Sequence, residues 1–256
     1  MPLPQIPNFR DAGGLGTGSL RPGIVYRSSQ LSDLTDGQQA ELVALGIVTV
    51  FDLRTDGEAS AKPDRLPPGV RGVHLDVLAD APDSAAASMQ ALGSRSPDVA
   101  AIDAEIGAGR ARALMLRTYR DIVLLPSARA AYRSMLREFA TASGATVVHC
   151  TAGKDRTGWG IALLQHVAEV ADDDIVADYL ASSAPITAAY APMLEAFAAA
   201  GGDADSLADL IMVRAEYLSS ALDAAAADYG SIRGYLSDGL GLDACDVASV
   251  RERLTT

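Results

Sequence analysis

Cysteine is almost missing from this chain, with Cys150 and Cys245 the only two in 256 residues. Two cysteines cannot build a disulfide framework, and neither shows metal-site spacing. Histidine is as scarce: His74, His149 and His166 form no i,i+3 or i,i+4 pair, so no zinc site is expected. Positive charge is short too, 21 basic against 33 acidic residues, a net charge of −12. That balance argues against nucleic acid as a partner and against adhesion to an anionic membrane. No apolar run reaches 18 residues, so no integral membrane contact is expected. Met1-Pro2-Leu3-Pro4 lacks the charged and apolar regions of a signal peptide, which makes the cytoplasm the expected compartment.

What is present reads as one folded domain over 1–256. Hydrophobic residues make up 49% and charged ones 21%, outside the range of disordered chains. Of the basic residues only Lys62 and Lys154 are lysine. In an Ala-, Gly- and Arg-rich background, a lysine that persists draws attention to its surroundings.

Ile24 to Tyr26 is a short β-type run. Thr35, with Gln38 three residues on, marks the N-cap of a helix to about Leu45, stopped by Gly46. Ile47 to Leu53 is a continuous β-branched run, as in a strand buried on both faces. Gly72 to Asp76 is a further short strand. Residues 79–109 change to Ala, Ser, Asp and Pro and read as an insertion; with the helix to 124 they form a candidate lid. Helices are expected from Arg110 to Leu124 and from an N-cap at Ser127 to Ala142. Ala145 to His149 is another buried strand, and residues 172–254 look wholly helical. The alternation predicts an α/β fold with a mostly parallel central sheet flanked by helices.

The strongest chemical signal is Cys150-Thr151-Ala152-Gly153-Lys154-Asp155-Arg156-Thr157, between a buried strand and a helix. Backbone N–H groups converging at a helix N-terminus make an anion cradle. The same dipoles and Arg156 favour the thiolate of Cys150. The Arg156 fork suits two phosphate oxygens. Gly153 lets the loop turn closely on a ligand, and the Thr157 hydroxyl is placed to donate to the sulfur. Cys150 and Arg156 are therefore the expected catalytic pair. Thr151, Ala152, Gly153, Lys154 and Thr157 are the expected substrate-binding residues. A nucleotide-binding P-loop is excluded, because G-x-x-x-x-G-K-[ST] would need Gly at Val148 and Ser or Thr at Asp155.

The segment His149 to Gly158 resembles the signature loop of cysteine-dependent protein-tyrosine phosphatases. Within them it is similar to the atypical bacterial branch with an A-G-K-D-R-T-G loop, which includes mycobacterial PtpB-type enzymes. Asn8-Phe9-Arg10-Asp11-Ala12-Gly13-Gly14, Tyr26-Arg27-Ser28-Ser29 and Phe51-Asp52-Leu53-Arg54 look like further parts of its pattern, so the resemblance spans most of residues 7–180. It implies a protein-tyrosine-phosphatase-like fold, a cysteinyl-phosphate mechanism without metal, and a phosphorylated protein or phosphoinositide as substrate. Phosphoserine and phosphothreonine are included. Relatives in this branch are sometimes exported without an N-terminal signal. By resemblance Lys154 hints at a second phosphate, and Asp155 is the first choice of general acid.

The residues themselves leave that acid open. No W-P-D loop exists, since Trp159 is the only tryptophan. Asp52 ends a strand, where active sites of α/β sheets form, or else pairs with Arg54. The Pro-Asp pairs at 82–83 and 97–98 could swing in from the insertion. Arg10, Asp11 and Arg54 either support the loop or make ion pairs of the fold. His149 is expected to be a hydrogen-bonder beneath the loop. The rival functions are an inositol polyphosphate phosphatase, a non-catalytic phosphate-binding module, and a sulfur-transfer or arsenate-reducing enzyme. Oligomeric state is not legible.

Overall fold

The β-branched runs pair as a five-stranded sheet in a computed structural model that describes residues 5–13, 20–81 and 99–255. The strands are β1 (Arg10–Asp11), β2 (Val25–Ser28), β3 (Ile47–Asp52), β4 (Arg71–His74) and β5 (Ala145–His149). Their order across the sheet is β1-β2-β5-β3-β4. Only the β1–β2 pair is antiparallel; the other pairs are parallel, as the alternation predicts. Register places Ser28, His149 and Asp52 at one level across the three central strands. The residues just after them share one edge of the sheet, where ligands bind in open parallel sheets.

Each central strand alternates between two cores. Tyr26, Val50 and Val147 face a smaller cluster with Phe9, Leu31, Leu34 and Leu42. Val25, Phe51 and Val148 face the main core on the opposite side. Helix α1 (Asp36–Ala44) supplies Leu42 to the smaller cluster and begins at the expected Thr35–Gln38 capping box. After α2 (Asp56–Ala61), α3 (Val99–Ile106), α4 (Arg110–Leu124) and α5 (Pro126–Thr141), the signature segment opens α6 (Asp155–Val167). The C-terminal third is helical as expected: α7 (Asp172–Leu180), α8 (Ser183–Ala199), α9 (Ala204–Ile211), α10 (Ala215–Tyr229), α11 (Ile232–Gly234), a π-helical turn at Tyr235–Gly239 and α12 (Ala244–Thr255). Among the described residues no helix is long and apolar enough to cross a membrane.

Several local expectations change. β2 continues through Arg27 and Ser28, because the buried Arg27 charge is met by Asp178 at 2.7 Å. Ser127 does not cap α5; Leu125 does, without a side-chain bond, and Pro126 takes the first helical position, where its fixed φ suits the helix. Ser127 instead donates its hydroxyl to Val77 O and its N–H to Asp80. Helix α4 buries Ala111, Met115, Tyr119, Ile122 and Val123 in the main core, so the 110–124 part of the candidate lid packs against the body of the fold. The Pro-Asp pairs at 82–83 and 97–98, and the rest of that segment from 82 to 98, lie outside the described residues.

Candidate active site

Cys150 follows β5 directly and is 1% exposed at the sheet edge. Residues 150–154 turn from the strand to the N-terminus of α6, where Asp155 and Arg156 are the first two helical residues. Gly153 makes that turn possible. Its φ is +69°, and a Cβ there would sit 2.1 Å from Ser28 O and 2.8 Å from Ser29 N. Real Cβ contacts never come so close, so any side chain would push the loop away from β2. The helix dipole and the loop amides leave this point favourable for an anion.

The loop is tied down on its outer side by a buried network. Asn8 Nδ2 donates to Gly153 O at 2.8 Å and to Ala152 O at 3.2 Å. Arg27 donates to Gly153 O at 2.9 Å. Arg27 and Arg10 both pair with Asp178 of α7, at 2.7 and 3.0 Å. Burial pushes Asp178 up, but the two arginines reverse this and hold it below the usual carboxylate range. Burial, with Arg27 nearby, lowers Arg10 to about 10. Arg10 thus braces the loop through Asn8, whose Oδ1 accepts from it at 2.5 Å. Asp11 is not in this network; it accepts the N–H groups of Gly13 and Gly23 and shapes the turn beside β1.

The cavity at the loop is about 80 Å³, bounded by Cys150, Thr151, Lys154, Asp155, Arg156 and Glu58 among others. Met115 and Thr118 of α4 line one side. Tyr190 of α8 and Leu210 and Ile211 of α9 line another. Helices of the C-terminal third therefore contribute walls where the sequence pointed to residues 79–124.

Glu58 stands outside the expected site residues. It accepts Nη1 and Nη2 of Arg156 at 2.6 and 2.9 Å and the Thr151 hydroxyl at 2.5 Å. Nη1 also reaches Leu53 O at 3.3 Å. Among the described residues this leaves Nε and the second Nη2 hydrogen free of bonds. The Nε–Nη2 side edge of the guanidinium, not its end, is thus the edge with unbonded hydrogens. Burial alone works against the Arg156 charge, but Glu58 and then Cys150 and Asp155 outweigh it and push Arg156 up. Burial also pushes Glu58 up, yet Arg156 and the Thr151 and Thr55 hydrogen bonds reverse this and bring it down to about 2.

A pH prediction follows from Glu58. Its folded value lies below the ordinary 4.5, so its contribution is complete above that pH and is lost as pH falls toward about 2. Acid unfolding of the wild type should show this loss between pH 4.5 and 2, and Glu58→Gln should flatten it. Identical acid limbs in the two proteins would contradict the assignment.

The other candidates are placed as follows. Asp155 Oδ1 accepts from Tyr119 Oη at 2.6 Å and from Lys154 Nζ at 3.0 Å. Tyr119 has one proton and gives it to the carboxylate, so it accepts from Tyr179, 2.7 Å away. Lys154 Nζ also donates to Leu210 O at 3.0 Å, which leaves one of its three N–H donors at the cavity it lines. Thr157 Oγ1 is buried without a hydrogen-bond partner, and the expected donation to the sulfur is not formed. Asp52 faces away from the cavity and receives Nε and Nη2 of Arg54 at 2.9 and 2.7 Å. Burial pushes Asp52 up, but Arg54 and His149 hold it below its usual value. His149 Nε2 lies 2.8 Å from Asp64, and Nδ1 lies 3.2 Å from Cys150 O. Asp52, Asp64 and His149 gather as metal ligands would, but Arg54 Nη2, 2.7 Å from Asp52 and 2.9 Å from Asp64, already supplies the positive charge.

A buried thiol, an arginine at a helix N-terminus and a parallel-sheet edge define a phosphoric monoester hydrolase of the cysteine-dependent kind. The model of the tyrosine phosphatase family matches residues 1–256, and the chain belongs to that family. It is 34% identical over 264 residues to the triple specificity protein phosphatase PtpB of Mycobacterium tuberculosis, covering 92% of each chain. It is 33% identical to a tyrosine-protein phosphatase of Cupriavidus necator, over 93% of this chain and 83% of that one.

Proposed function

We propose that this protein hydrolyses phosphotyrosine monoesters through a phosphoryl group carried on Cys150. One observation supports this most: Cys150 and Arg156 share a small cavity at the head of α6. Two phosphate oxygens bind the Nε–Nη2 edge of Arg156, and the loop amides take the remaining oxygen charge. The Cys150 thiolate attacks phosphorus, an S–P bond forms, and the bond to the tyrosine oxygen breaks. Asp155 gives that oxygen a proton. With Oδ1 occupied by Tyr119 and Lys154, its Oδ2 is the oxygen that carries it. Water then attacks phosphorus, Asp155 takes a proton back, and the S–P bond breaks to release inorganic phosphate and the thiolate. No step requires a metal.

Phosphoserine, phosphothreonine, phosphoinositides and inositol polyphosphates belong in the same assay, because one relative is named for triple specificity. Hydrolysis of p-nitrophenyl phosphate should persist in EDTA. Asp155→Asn should lower kcat for phenyl phosphates with poor leaving groups by roughly 10²–10⁴-fold and remove the basic limb of the pH–rate profile. Asp52→Asn should lower stability and keep that limb. The reverse pattern would move the acid to Asp52.

A further inference from the structure

A second cavity of about 270 Å³ lies on the outer side of the signature loop and shares Thr151, Ala152 and Tyr190 with the catalytic one. Its other walls come from three separate segments. Pro7 stands for the turn before β1, Gln30 and Asp33 for the turn after β2, and Ile186 for α8. The catalytic cavity holds only about 80 Å³, so a peptide that delivers a phosphotyrosine must run beyond it. The shared wall makes this second cavity the adjoining space.

Its chemistry is one-sided. Among the described residues Asp33 is the only carboxylate that lines it; it is exposed and has no ion pair. The rest is largely apolar, with the Gln30 side-chain amide and Ser29; the Gln38 amide is held by Thr35 and Gln5 O. Among the described residues no arginine or lysine lines it. Of the two cations next door, Arg156 is paired with Glu58, and Lys154 is held by Asp155 and Leu210 O.

We infer that this cavity is a flank subsite that selects phosphotyrosine peptides carrying an arginine or lysine beside the phosphotyrosine, with Asp33 as the residue that reads the cation. The inference rests on the phosphatase reading above. The ligand's main chain crosses Thr151 and Ala152, the Gln30 amide meets a peptide group, and its cation stops at Asp33. A phosphorylated ligand with further anionic groups meets a carboxylate at the same place.

The test uses the full chain and one phosphotyrosine peptide core with Arg, Ala or Glu placed in turn on either side of the phosphotyrosine. For the wild type, kcat/KM should rank Arg above Ala above Glu on at least one side, with about fivefold between Arg and Ala, as for an exposed ion pair. The ranking should shrink as salt rises. Asp33→Asn should abolish the Arg advantage and Asp33→Lys should invert it. An unranked wild type, or a ranking unchanged in Asp33→Asn, would overturn the inference. So would faster turnover of a bisphosphorylated inositol lipid in vesicles than of the Arg peptide. Wild-type hydrolysis of p-nitrophenyl phosphate is read in parallel. Its absence would defeat the phosphatase reading itself, which a flat peptide ranking would not.

Discussion

Cys150→Ser is expected to lower hydrolysis of phenyl phosphates by at least about 10⁴-fold while the protein stays folded and still binds a phosphotyrosine peptide. A serine hydroxyl is a far weaker nucleophile than a thiol near neutral pH unless a base activates it. No histidine lines the cavity. His149, the nearest in sequence, is turned beneath the loop toward Asp64 and the Cys150 carbonyl. The swap changes little volume at a position 1% exposed, so thermal unfolding should move by no more than about 1 kcal/mol. Steady-state kinetics beside a binding isotherm checks this. Activity within tenfold of wild type would mean that another group attacks phosphorus.

Arg156→Lys is expected to cost roughly 10²–10³-fold in kcat/KM, because an ammonium cannot offer two parallel donors to phosphate. It should also lose stability. The bidentate contact to Glu58, at 2.6 and 2.9 Å, becomes at best a single contact, and the third bond to Leu53 O is lost. Removing one partner of a buried pair costs about 3–5 kcal/mol, and a lysine that keeps the charge should recover part of that. Arg156→Ala should then unfold more readily than Arg156→Lys in urea. Equal midpoints for the two variants would show that Glu58 does not depend on the charge at 156.

The parts of this architecture carried by local pattern were readable in the sequence. Ile47 to Asp52 and Ala145 to His149 are β-branched and buried on both faces, and both became central strands. Thr35 with Gln38 announced its own helix. Thr55-Asp56-Gly57-Glu58 is a capping box of the same kind, and it does start α2, with Glu58 bonded back to Thr55. What that pattern does not carry is the second use of Glu58, as partner of an arginine 98 positions later. Asp64 under His149 and Asp178 behind Arg27 are similar, being joined across 85 and 151 positions. Such pairs depend on which strand ends the sheet brings together, and no local spacing records them. Lys154 shows the converse. Its place in the loop was legible, but its engagement by Asp155 and by the end of α9 needed the C-terminal helices to be in position. The walls from α8 and α9 escaped notice because Tyr190, Leu210 and Ile211 look like ordinary positions of apolar helices.

The account turns on phosphorus becoming bonded to one sulfur. The most direct measurement is a rapid acid quench of Asp155→Asn mixed with p-nitrophenyl phosphate, whose leaving group departs without the acid, followed by intact mass and peptide mapping. Asn at 155 cannot take the proton from the attacking water, so the intermediate should accumulate. The expected result is a gain of one phosphoryl group on the peptide that contains Cys150, formed at the rate of the first turnover. Release of phosphate with no phosphorylated protein at any time, or a phosphoryl group on another residue, would contradict it.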